Sequence, residues 1–239
     1  MAYHNAVTDK LVVVFFLEST AFHIYSSVNQ LKWFRFQENT HKPPELDNAF
    51  FSATHVVNVN AAITLLPADY TDALHEVFKL QHGEYHKLQS LIQDDIQLVY
   101  NQTPQIEALI QQLVSPQLEL DCSILLQNKP KNRAQEQLVF FWVDEVLTIL
   151  AYKENKLHLA NRYQAANNDE LFYYLMLVVE RLHLHPENLE VYTLARQEDL
   201  NVYNALFKNY LKPIKLMNDA NQGDETAVVI AHYLGQCVL

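Results

Sequence analysis

From Leu138 to Arg196 the chain spells out three strands, one long helix and a fourth strand in close succession, and few folds accept that order. Leu138 to Val143 and Val146 to Tyr152 are rich in β-branched, aromatic and leucine residues and are apolar on both faces, the pattern of strands covered on both sides of a sheet. Leu157 to Tyr163 follows across the polar turn Lys153-Glu154-Asn155-Lys156. Asn167 or Asn168 then offers a helix cap, and Asp169 and Glu170 fall in the first turn, where they suit the helix dipole. Leu171, Leu175, Val178 and Leu182 recur at helical spacing, Phe172, Met176 and Val179 widen that face, and Pro186 lies beyond the end. Leu189 to Leu194 reads as the next strand. A crossover of this length makes it parallel to its predecessor.

The same layout stands near the N-terminus. Leu11 to Leu17 is a doubly apolar strand, Phe22 to Tyr25 and Leu31 to Phe36 follow, and Ser26 to Gln30 is the turn between those two. Leu11 and Leu31 are 20 positions apart and Leu138 and Leu157 are 19 apart, so the two meanders nearly match in length. That is an internal duplication at a spacing far longer than any solenoid period. Between them, Pro43-Pro44 opens a short helix over Glu45 to Phe51, and His55 to Asn60 and Ala62 to Leu66 read as strands. A helix runs from Pro67 and Asp69 toward Leu80, Ile96 to Tyr100 is a strand, and Pro104 to Val114 is a helix. Leu118 to Asn128 reads either way. Polar Asn128 to Gln135 is the expected hinge between an N-terminal lobe, 1–130, and a C-terminal lobe, 131–239. The apolar run Ala227 to Tyr233 follows Asn218 to Glu225, which reads as mobile.

The expected class is therefore α/β: a two-lobed duplication with mixed sheets flanked by helices. This is the plan of the actin, sugar-kinase and Hsp70 superfamily, whose core unit is ribonuclease-H-like. Three stretches carry a narrower likeness: Lys156-Leu157-His158-Leu159-Ala160-Asn161-Arg162-Tyr163, Asp169-Glu170-Leu171-Phe172-Tyr173-Tyr174-Leu175 and Leu182-His183-Leu184-His185-Pro186-Glu187. With Thr64-Leu65-Leu66-Pro67 they resemble a bacterial domain-of-unknown-function family (number three-eight-two-two). The resemblance spans nearly the whole chain and implies an actin-like fold. The shared residues are core and turn positions, so it transfers no catalytic residue.

Charge narrows the partners. A net charge of −11 argues against nucleic acid and anionic membranes, which need clustered Lys and Arg; the densest basic stretch is Lys129 to Arg133. Cys122 and Cys237 are too far apart for a disulfide framework, which fits a reducing compartment. The apolar run at Leu11 ends at Glu18 without a secretory pattern, and the longest apolar run, Leu171 to Val179, has nine residues, too few to span a bilayer. The expectation is a cytoplasmic protein without membrane insertion.

Actin-like ATPases grip phosphate through turns after the first strand of each lobe, usually at glycine, because only a residue without Cβ lets the backbone come close enough. This chain has three glycines, Gly83, Gly223 and Gly235, and none falls in the matching turns. Those turns are Leu17-Glu18-Ser19-Thr20-Ala21 and Val143-Asp144-Glu145-Val146, and Leu194-Ala195-Arg196 closes the later strand. Glu18, Ser19, Thr20 and Asp144 are the cofactor-binding candidates. Glu18 and Asp144 would position hydrated Mg²⁺ in one reading and merely end strands in the other.

Other constellations are poorer. His82 and His86 share a helical spacing ahead of Asp94-Asp95, but Gly83 between them favours an exposed helix end over a metal site. His183 and His185 read as the last helical turn, serving its carbonyls. Cys122 reads as a buried structural thiol, and no Gly-x-Ser-x-Gly elbow is present. The expectation is a protein-binding scaffold or regulatory module that has lost hydrolysis, a pseudoenzyme with no catalytic residue, metal or cofactor. The alternatives are a divergent Mg-ATP-dependent ATPase or kinase and a small-molecule binder in the interlobe cleft.

Overall fold

The computed structural model describes residues 8–17, 19–38, 41–47, 49–59, 62–67, 74–93, 96–113, 117–127, 136–154, 156–218 and 225–239. Its strands are β1 Lys10–Phe15, β2 Thr20–Tyr25, β3 Leu31–Gln37, β4 Ala53–Asn58, β5 Ile63–Pro67, β6 Lys87–Gln93, β7 Ile96–Gln102, β8 Gln117–Asp121, β9 Glu136–Val143, β10 Val146–Lys153, β11 Lys156–Gln164, β12 Glu190–Thr193 and β13 Lys215–Leu216. The α-helices are α1 Leu74–His82, α2 Pro104–Gln112, α3 Cys122–Gln127, α4 Asn168–Arg181, α5 Gln197–Phe207 and α6 Thr226–Cys237. Two compact units form. One takes the described residues of 1–61, 66–125 and 234–239, the other those of 62–65 and 126–233.

The first unit is built on a five-stranded sheet in the order β3-β2-β1-β4-β8. β1 is antiparallel to β2 and parallel to β4, and β4 is parallel to β8. Leu11, Val13 and Phe15 alternate onto one face and join Phe22, Ile24 and Val56. Ile106 and Leu109 of α2 close that core. Thr103 caps α2 by accepting from the Ile106 amide, and Pro104 follows in the first turn, where its missing N–H costs no bond. Burying each such Leu, Val or Phe contributes about 1.5–3 kcal/mol, so the face of β1 fixes its register firmly.

The second unit repeats the plan: β11-β10-β9-β12-β13, with β9 antiparallel to β10 and parallel to β12, which is parallel to β13. Both sheets thus run antiparallel, antiparallel, parallel, parallel from one edge, which is the duplication the two meanders announced. Helix α4 begins as the asparagines predict. Asn167 Oδ1 accepts from the Asp169 and Glu170 amides at 3.0 Å each, while Glu170 Oε2 accepts from the Ala166 amide at 2.8 Å. Its Leu171, Leu175, Val178 and Val179 are buried against Leu138, Phe140, Leu147 and Ile149.

Several local expectations are corrected. The helix after Pro43 is one 3₁₀ turn, Pro44–Leu46, because Asp47 already returns to extended backbone. Helix α4 stops at Arg181, so His183 and His185 lie beyond it. His183 adopts φ +50°, its amide donates to Glu180 O, and the Leu184 amide donates to Val179 O. That is a Schellman closure with histidine where glycine is usual. His185 pairs instead with Glu136 of β9, through its amide at 2.6 Å and ring Nδ1 at 3.0 Å. Leu118 to Asn128 resolves into β8 followed directly by α3, while the hinge at 128–135 lies outside the described residues. Asn218, expected in a mobile stretch, is 8% exposed and bonded to the core. Strand β6 and helix α5 have no counterpart in the sequence reading.

Candidate functional site

The C-terminal ends of the parallel strands are where a sheet of this kind presents ligands, so the candidates are placed there unit by unit. In the first unit, Thr20, Phe15, Asn58 and Asp121 share one register row across β2, β1, β4 and β8, which turns their side chains to one face. Ser19 is 6% exposed and Thr20 is fully buried. Ser19 O accepts the Phe16 amide at 2.9 Å, which closes the turn on itself. Glu18, the third candidate of this turn, lies outside the described residues. Asn58 and Asp121 are buried, and Asp121 Oδ1 accepts from the Ser123 amide at 2.9 Å. Thr20 Oγ1, Asn58 Nδ2 and Ser123 Oγ are buried and have no hydrogen-bond partner among the described residues. Sequence reasoning passed over Asn58 and Asp121; the signal was a polar residue ending each of the runs His55-Val56-Val57-Asn58 and Leu118-Glu119-Leu120-Asp121.

In the second unit, Asp144 and Glu145 form a two-residue turn between paired Val143 and Val146, at φ +52° and +59°. These are the values of a type I′ hairpin, a role that Asn-Gly usually fills. Asp144 is exposed at its apex. Glu145 O accepts the Ala165 amide at 2.8 Å, and its carboxylate accepts from Gln164 at 3.2 Å, so Glu145 links the turn to the end of β11. At the end of β12 the amides are also engaged. Leu194 N donates to Phe140 O at 3.3 Å and Ala195 N to Asn218 Oδ1 at 3.2 Å, and Asn218 Nδ2 returns a bond to Ala195 O at 3.1 Å. Beyond it, Arg196 donates two bonds to Asp199, at 2.9 and 2.8 Å, and Asp199 also accepts from Thr226. Burial pushes the Asp199 carboxyl up, but the bonds from Arg196 and Thr226 prevail and hold it below the usual range.

The two histidines stand on different sides of a turn. Helix α1 ends at His82, Gly83 turns the chain at φ +79°, and His86 lies just before β6. His82 packs on Phe78, whereas His86 Nε2 meets Glu107 at 2.7 Å, so the two rings serve different neighbours. Asp94 and Asp95 lie outside the described residues, among which no three His, Cys, Asp or Glu side chains are grouped to hold a metal. Cys122 is buried, with Sγ directed at Val59 O at 3.9 Å. No described helix is long and apolar enough to cross a membrane.

Among the described carboxyls, the one displaced furthest is one the sequence did not single out. Glu119 of β8 accepts from Gln102 Nε2 at 2.8 Å through Oε2, while Oε1 is buried without a partner among the described residues. Burial raises its pKa to about 7; Lys87 opposes the rise, and Asp121 and Glu107 add to it.

Comparison with known proteins bears on the fold. A family model described as protein of unknown function (DUF3822) matches residues 6–214. No curated protein matches the chain. Among solved structures, a Bacteroides thetaiotaomicron VPI-5482 protein of actin-like ATPase fold and unknown function is similar at TM-score 0.79 and 13% identity, covering 97% of this chain and 98% of that one. A chain of a PilM–PilN type IV pilus biogenesis complex is similar at TM-score 0.56 and 10% identity, covering 97% and 98%. At such identities the likeness establishes an actin-like fold and nothing finer.

Proposed function

This chain belongs to the family of proteins of unknown function DUF3822, and from its turns we propose that it is an actin-like protein that has given up nucleotide hydrolysis and works by holding a protein partner. The observation that carries this reading is how the strand-end amides are used. Phosphate binding at such turns needs backbone N–H groups aimed outward and a backbone that can come close. Here the Phe16 amide is given to Ser19 O, the Ala195 amide to Asn218, and the β9–β10 turn is two residues long with a side chain on each. The PilM–PilN assembly is a case of a similar fold found in a protein complex, which agrees with a binding role.

A second reading rests on a different observation. Three buried polar atoms at the sheet end of the first unit, on Thr20, Asn58 and Ser123, have no partner among the described residues and would suit a small polar ligand. It favours a divergent Mg-ATP site within the first unit, on Ser19 and Thr20, or a metabolite-binding role. One experiment separates the two. Purified protein is heated with and without Mg-ATP while phosphate release is followed. The binding-module reading expects an unchanged melting temperature and no release. Saturable stabilisation accompanied by turnover would replace it with the enzyme reading.

A further inference from the structure

Strand β8 is the last strand of its sheet, so its outer edge stays open unless another element lies against it. The end of β7 does so. Tyr100, 4% exposed, donates from its hydroxyl to Glu119 O at 3.5 Å, and Gln102, 2% exposed, donates from Nε2 to Glu119 Oε2 at 2.8 Å. Both bonds end on Glu119. The corner behind them is tied together. Asn101 Oδ1 accepts from the amides of His86 and Lys87 at 3.1 and 3.3 Å, and Glu107 of α2 meets His86 Nε2 at 2.7 Å and Lys87 Nζ at 3.5 Å.

This contact suits a neutral carboxyl and not an ionised one. Glu119 continues the register row of Val13 and Val56, whose side chains join the core closed by Ile106 and Leu109. Its Oε2 has Gln102, whereas Oε1 is buried and has no hydrogen-bond partner among the described residues. The charged and titratable groups facing it are Asp121 on β8, Glu107 on α2, Lys87 on β6 and the Tyr100 hydroxyl on β7. Asp121 and Glu107 oppose a further negative charge. Lys87 favours one, but it is exposed and shared with Glu107. A neutral carboxyl forgoes one hydrogen bond here, while an ionised one forgoes the hydration of a full charge. With β4 on one side and the α2 core on another, water reaches Oε1 from the side that β7 covers.

We propose that the end of β7 is a proton-operated flap, which lies on β8 while Glu119 carries its proton and lifts from the β8 edge when that proton passes to water. What the flap governs is access to an unpaired strand edge. Its direction follows from burial, which raises the carboxyl to about 7 in the closed state, whereas the lifted state returns it to the ordinary carboxylate range. Closure is therefore complete below about pH 4.5 and weakens as pH rises through about 7.

Hydrogen exchange on the full chain, followed by mass spectrometry from about pH 5 to pH 8 and corrected for the intrinsic pH dependence of exchange, tests this. Amides of segments 99–102 and 119–121 should lose about tenfold in protection across that range, equally without urea and in about 1 M urea, because a flap exposes little surface. Amides of β1, which open only with the whole unit, are urea-sensitive and give the reference. Glu119→Gln abolishes the loss, since glutamine cannot ionise. Lys87→Met moves it to higher pH, since the facing cation that favours ionisation is gone, and a packing role alone would not shift it. Protection that stays constant over this pH range overturns the proposal. So does a loss as urea-sensitive as that of β1, which is unfolding of the whole unit. A loss that persists in Glu119→Gln overturns it too, because the proton then belongs to another group such as His86.

Discussion

Replacing Glu119 with glutamine should make the stability of this protein less sensitive to pH, by an amount the local geometry sets. Among the described residues, the Glu119 carboxyl holds one hydrogen bond, from Gln102, and one buried oxygen without a partner. Ionising it therefore leaves charge where burial resists it, and its folded pKa stands at about 7 against an ordinary 4.5. A folded value above the unfolded one contributes stability that is complete below about pH 4.5 and is lost as pH rises through about 7. At about 1.4 kcal/mol per pH unit the full displacement corresponds to roughly 3 kcal/mol, and because the side chain is only partly buried, solvent screening reduces this to about 1–2 kcal/mol. Glutamine imitates the protonated acid and keeps an acceptor for Gln102. Glu119→Gln should therefore match the parent near pH 5 and exceed it by about 1–2 kcal/mol near pH 8. Urea unfolding at both pH values measures this. Trp33 in a Trp142→Phe background reports on the unit that holds Glu119, since the chain has only two tryptophans. A difference between variant and parent that stays flat within about 0.5 kcal/mol from pH 5 to pH 8 would refute the buried-carboxyl account.

Two further substitutions probe the second unit. His183→Gly should stabilise it by about 1 kcal/mol, because φ +50° at the Schellman position costs histidine what glycine adopts freely; thermal unfolding checks this, and an unchanged or lower midpoint counts against it. Asn218→Ala should cost about 2–4 kcal/mol, because both the amide and the carbonyl of buried Ala195 lose their partner. A loss under about 1 kcal/mol in urea unfolding would mean that water replaces Asn218 there.

Much of the fold was legible in one dimension because its signals are local. Strands apolar on both faces, the Asn167 cap and the leucine spacing of α4 each depend on neighbours within one turn, and all stand where the sequence placed them. The repeated meander length was enough to announce two sheets of one plan. Sequence could not divide Leu118 to Asn128 between β8 and α3, since an apolar run of that length suits either until a parallel neighbour claims it. Strand β6 was hidden for the same reason: it is defined by β7 beside it rather than by its own composition.

The candidate site shows the same division more sharply. Sequence alone determined that glycine is missing from the turns where phosphate would be gripped, since that is a matter of composition at known positions. Only the tertiary structure decided what those turns do instead. The Ala195 amide is taken by Asn218, 23 residues away, and the row Thr20, Phe15, Asn58 and Asp121 is assembled from four strands. Likewise, the nine apolar residues from Leu171 to Val179 read as a deeply packed helix, but only packing shows that one side of it reaches the surface at Tyr173. Periodicity states which residues share a face. Whether that face meets the core, solvent or another molecule depends on contacts between residues far apart in the chain.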